Sequence, residues 1–154
     1  METTNVKEAL QDLIIRLQDA EKGYLEISKA VANPTLKTWL VSYASERHEM
    51  HGKLEELIAA RGGEAEVKTS FLGDLHRMFI DVKINNTSMD NEFDAVVAEI
   101  ERGSSVLLAD YDKVLENLRM LPTLHGTVQS HRVRIANEVK NLAALKAEIE
   151  SVEA

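Results

Sequence analysis

The amino-acid sequence predicts an all-α chain: a four-helix bundle with a long crossover connection that carries a short helix. Three observations lead there. Four long segments repeat apolar residues at alternating spacings of four and three, the seam of a packed helix. Only two prolines and seven glycines interrupt the 154 residues. The stretch from 62 to about 90 is too long for a hairpin turn.

The first helix is expected over about 5–32, with the seam Val6, Leu10, Leu13, Leu17, Ala20, Tyr24, Ile27 and Val31. Asn5 and Glu8 can close a capping box at its start. Asn33-Pro34 ends it and opens the next, with Asn33 as N-cap and Pro34 at the first helical position. The second helix, about 34–61, has the seam Leu36, Leu40, Tyr43, Arg47, Met50, Leu54 and Leu57. Gly62-Gly63 supplies a left-handed stop.

In the connection, Phe71, Leu75, Met78, Phe79 and Val82 line one side of a short helix over about 71–84, closed by Asn85-Asn86-Thr87-Ser88. A connection of this length can run back along a bundle and join two helix pairs. The third helix, about 90–118, carries Phe93, Val97, Ile100, Ser104, Leu107, Tyr111, Val114 and Leu118. A break at Met120-Leu121-Pro122 starts the fourth, about 122–152, with Leu124, Val128, His131, Ile135, Glu138, Leu142, Leu145, Ile149 and Val152. At 1.5 Å per residue each helix is roughly 40–46 Å long, and matched lengths suit one bundle. Residues 1–154 therefore read as a single domain.

A faint repeat links Glu21-Lys22-Gly23 with Glu101-Arg102-Gly103 at equal heptad positions. Glycine within a helix costs about 1 kcal/mol against alanine, so the pair suggests a close approach of the first and third helices.

Composition removes several functions. Lys plus Arg total 18 against 26 Asp plus Glu, a net charge of -8, and no basic stripe is present for nucleic acid or an anionic membrane. The opening Met1-Glu-Thr-Thr-Asn-Val-Lys-Glu8 is no basic arm. Without cysteine there is no disulfide, thiolate ligand or cysteine nucleophile. No signal-like start and no membrane-length apolar run occur, so a cytoplasmic location is expected and the Asn86-Thr87-Ser88 sequon carries no meaning. Glycine-rich phosphate loops and nucleophile elbows are missing, which makes a non-enzymatic role the expectation.

Polar residues interrupt the seams at Arg47, Ser104, His131 and Glu138. Arg47, Ser104 and Glu138 fall near the middles of their helices. The expected arrangement is a buried polar layer in which Arg47 pairs with Glu138 and Ser104 or Tyr24 takes a remaining hydrogen bond. The competing arrangement is a two-metal carboxylate site for iron or manganese, which needs inward oxygen and imidazole ligands. Its candidates are Glu21, Glu46, His51, Glu101 and His131. His48 and His51 otherwise read as a solvated helix edge, and Trp39 as core-edge packing. His76 and Arg77 are expected to tie the crossover helix to the bundle, and His125 has no evident role. Ile15, Leu25, Val41, Val106 and Val133 point away from the seams; gathered on one side they would mark a homodimer surface.

Three stretches carry a family resemblance: Asp19-Ala-Glu-Lys-Gly-Tyr24, Asp74-Leu-His-Arg-Met-Phe-Ile-Asp-Val-Lys83 and Glu101-Arg-Gly-Ser-Ser-Val-Leu-Leu-Ala-Asp-Tyr111. Together they resemble the bacterial ferritin-like four-helix-bundle family catalogued as domain of unknown function 2383, over about residues 5–150. That resemblance implies the ferritin-like fold and the crossover helix, with no established activity. Leu54-Glu-Glu-Leu-Ile-Ala-Ala-Arg-Gly-Gly63 also resembles ferritin, in which a Glu and a His three residues later bind iron upstream of such an Arg-Gly-Gly. Here those positions fall on Arg47 and Met50, or on Glu46 and Glu49 after a one-residue shift. His131 has Val128 three places before it, so both Glu-x-x-His motifs are missing. The expected function is a non-catalytic module acting through a protein partner or a second copy, stress-associated as ferritin-like relatives tend to be. The alternative is an iron or manganese oxidase, or an iron handler, with an atypical ligand set.

Overall fold

Four α-helices, with short turns at 31–33 and 118–121, make up the described residues, 3–61 and 89–153, of a computed structural model. They are α1 (Thr3–Ala30), α2 (Pro34–Ala60), α3 (Met89–Asn117) and α4 (Pro122–Glu153). The expected crossover helix at 71–84, His76, Arg77 and the Gly62-Gly63 stop lie outside the described residues.

Local signals set most helix ends. Asn33 is extended (φ -69°, ψ 119°), and its Oδ1 accepts a hydrogen bond from the Leu36 N–H at 3.0 Å while Pro34 opens α2. Pro122 opens α4 after a turn in which the Leu121 N–H donates to the Leu118 carbonyl at 2.9 Å. At the start of α1 the expectation is corrected. The helix begins at Thr3, so Asn5 lies inside the first turn and is not its N-cap. Several adjacent polar residues compete for such a cap, and helix ends shift by one or two residues accordingly.

Charged and polar pairs fix the directions of neighbouring helices. Gln18 meets Glu55 and Glu21 meets His51, so α1 and α2 run antiparallel. Arg47 reaches Glu138, and two residues further along α2 Glu49 meets Arg134, an antiparallel α2–α4 pair. Asp112 with Arg132 and Asp94 with Lys146 make α3 and α4 antiparallel. Arg16 pairs with Asp110, and Ile27 shares a core cluster with Phe93 and Ile100, which orients α3 against α1 in the same sense. It follows that α2 and α3 point the same way. The last turn of α2 and the first turn of α3 therefore lie at opposite ends of the array.

The apolar core is divided in two. One cluster gathers Leu10, Leu13, Leu17, Leu54, Ile58, Tyr111, Leu118 and Val128. The other gathers Tyr24, Ile27, Leu36, Leu40, Phe93, Ile100 and Leu142. Between them sit the buried Arg47 and Ser104 and the largely buried Glu138. The inward stripe also differs in places from a single seam. Val96 is fully buried where Val97 was expected, Ile58 where Leu57 was expected, and Ile14 is buried beside Leu13. A straight helix turns 3.6 residues at a time, and each of these helices faces two neighbours, so the buried stripe widens and drifts off the heptad line. A Cβ added at Gly103 would meet nothing within 4 Å, so no close helix approach explains that glycine. Trp39 packs edge-on to Phe93, with ring centroids 6.3 Å apart. Among the described residues no helix is long and apolar enough to cross a membrane.

Candidate functional site

Two polar constellations share the middle of the helix array. The first centres on Arg47, which is only 1% exposed although it is the longest cation in the core. It sits at the midpoint of α2, and Glu138 lies near the middle of α4. Arg47 Nη2 donates to Glu138 Oε2 at 2.6 Å and Nη1 to Oε1 at 3.4 Å, a two-point guanidinium–carboxylate pair. Glu46 Oε2 stands 3.7 Å from Nη1, and Arg134 holds Glu46 Oε1 at 3.4 Å. Two cations and two anions thus cancel within the layer. Tyr24 offers its ring, with the guanidinium carbon 5.7 Å from the centroid, a cation–π distance. Ser104 Oγ and Arg47 Nε have no hydrogen-bond partner. The expected hydrogen bond from Ser104 is therefore not made.

The second constellation lies about one helical turn along α2, at its seam with α1. His48 and His51, three residues apart, project on one flank of α2, their rings 5.0 Å apart and nearly perpendicular. Glu21 of α1 bridges them. Its Oε1 accepts from His51 Nε2 at 2.7 Å and its Oε2 from His48 Nδ1 at 3.0 Å. On the other side of His51, Glu55 Oε1 stands 3.4 Å from Nδ1 and accepts from the Gln18 amide at 3.2 Å. His51 is buried, whereas the His48 side chain is 68% exposed. One donor atom from each of Glu21, His48 and His51 lies within 4.8 Å of the others. Such a set can pass a proton along Glu21–His51–Glu55 or gather a cation.

The five metal candidates named from sequence do not converge. Glu21 and His51 meet, but Glu46 is engaged by Arg47 and Arg134. Glu101 is exposed, and His131 packs edge-on to Tyr111 at 6.4 Å. Burial, with Arg134 and Lys53 nearby, lowers the His131 pKa from 6.5 to about 4. Burial, with Tyr24 next, pushes Tyr43 up to about 12, and burial raises Tyr111 further. Of the two histidines read as a solvated edge, His48 is exposed as expected but His51 is buried, and both belong to the Glu21 cluster. So do Gln18 and Glu55, which sequence reasoning missed. The signal was present: Ala44, His48, His51, Glu55 and Ile58 repeat at four and three, a second stripe flanking the seam.

A family model described as Domain of unknown function (DUF2383) matches residues 5–117. The chain belongs to that family. The matched segment of this DUF2383 protein holds Glu21, Arg47, His48, His51 and Glu55, while His131 and Glu138 lie beyond it. Comparison with curated proteins and with solved structures returns no match.

Proposed function

We propose that this DUF2383 protein is a single-domain, ferritin-like four-helix bundle that acts by protein contacts in the cytoplasm, without catalysis. Its Arg47–Glu138 pair stands where ferritin-like relatives hold two metals, and a stress-associated role follows from that kinship. The observation that carries the reading is the two-point contact of a buried guanidinium with Glu138 at 2.6 and 3.4 Å. A guanidinium offers only donors and a fixed positive charge, so it repels a cation and occupies the carboxylate that would bind one. The parallel course of α2 and α3 supports the ferritin-like layout, because two such helices require a connection running the length of the bundle. The outward Leu25, Val41, Val106 and Val133 supply apolar surface for a second copy or another protein.

Metal analysis of protein purified without chelators, followed by anaerobic ferrous titration and admission of air, tests the reading. Expected are no iron or manganese at the mid-bundle layer and no acceleration of ferrous oxidation. Two iron equivalents lost together on Glu138→Gln, with protein-dependent oxidation, would establish the iron-handling alternative instead. Sedimentation velocity over a wide concentration range reads self-association; a persistent monomer of 17.2 kDa assigns the contact to a different protein.

A further inference from the structure

We propose that Glu21, His48 and His51 form a one-ion site for a divalent cation of the zinc class, on the solvent side of the α1–α2 seam. The site is separate from the Arg47 layer and uses none of its charges. Two imidazoles and one carboxylate are the donor set of zinc, cobalt and nickel, whereas magnesium and calcium take oxygen ligands. The present contacts of 2.7 and 3.0 Å are hydrogen bonds. Ligands about 2.0–2.2 Å from a tetrahedral ion stand roughly 3.3–3.5 Å apart, so the two oxygen–nitrogen contacts must open by about half an ångström. The exposed His48 ring gives that movement. Three protein ligands and an open solvent side leave a fourth position for water.

A second observation supports the assignment. His51 is buried, and its Nδ1 has no hydrogen-bond partner, with Glu55 Oε1 3.4 Å away. In the ion-free state the carboxylate of Glu21 accepts, so the proton sits on Nε2. When an ion takes Nε2, the ring must carry its proton on Nδ1, and Glu55 is placed to accept it. Gln18 holds Glu55 in position at 3.2 Å. A carboxylate behind a ligating histidine fixes its tautomer and orientation, which is how metal sites are commonly braced.

The test is titration of the metal-free full chain with zinc chloride by calorimetry, and with cobalt chloride by visible absorption. Expected are one zinc equivalent per chain and tetrahedral cobalt bands. His48→Ala should abolish both while leaving the unfolding curve of the metal-free protein in place, since His48 is exposed. Glu55→Gln should weaken zinc by about 10–100-fold without removing the bands. No saturable zinc binding by the wild type overturns the proposal, and so does binding that His48→Ala and Glu21→Gln both leave unchanged.

Discussion

His131 shows how one buried ring couples stability to pH. Its pKa falls from 6.5 to about 4 because burial, then Arg134 and Lys53, disfavour the imidazolium. The unfolded chain therefore takes up this proton first. The neutral ring's contribution is complete above about pH 6.5 and is lost as pH falls toward 4, a total of about 3 kcal/mol. Urea unfolding at pH 7 and pH 4.5 measures the slope, and His131→Leu should flatten it; an equal slope in both proteins would assign the acid lability elsewhere. Arg47 acts through its pairing with Glu138. Arg47→Met leaves the Glu138 carboxylate largely buried without its partner, at a cost of about 3–5 kcal/mol. Arg47→Met with Glu138→Leu should recover most of that loss, because two apolar groups of similar volume need no compensation. Denaturant midpoints of the two variants decide the point: a double variant no better than the single one would mean that shape, not charge, holds the layer together.

The helices themselves rest on short-range chemistry that is written locally. Asn33-Pro34 is a cap and a first-turn proline in adjacent positions, and α2 begins there. Gly103 is the opposite case, a residue whose helical position has no structural demand behind it, since an added Cβ meets nothing within 4 Å. Gly103→Ala should stabilise by about 0.5–1 kcal/mol and raise the melting temperature by roughly 2–4 °C. A lowered melting temperature in differential scanning calorimetry would mean that the glycine serves a contact after all. The same local code was legible along all four seams, from Leu36 and Leu40 to Val128 and Ile135. It failed where a helix has two neighbours. The heptad line selected Val97 and Leu57, but the second packing direction buries Val96 and Ile58.

Across the assembled helices, the polar layer separates two apolar clusters that share no side chains. Ile27 belongs to one and Ile58 to the other. Ile27→Val and Ile58→Val should each cost about 0.5–1.5 kcal/mol, and their sum should match the double variant within about 0.5 kcal/mol. Unfolding free energies from urea titration read this directly; a larger discrepancy would show that packing strain crosses the Arg47 layer. The acidic balance of the chain, -8 overall, adds a diffuse repulsion on top of these local terms.

Helix periodicity, the Asn33 and Pro122 starts and the three mid-helix polar residues Arg47, Ser104 and Glu138 all follow from the order of the amino acids. Each depends on neighbours within a turn or two, so linear spacing contains the needed information. The company kept by the flanking residues does not. Whether Glu21 meets His48 and His51, or Glu46 meets Arg134, depends on how far each helix is rotated about its own axis. That rotation is set by packing against two partners at once, summed over side chains distant along the chain. Spacing therefore placed His48 on the α2 flank, and only the assembled helices set a carboxylate opposite it.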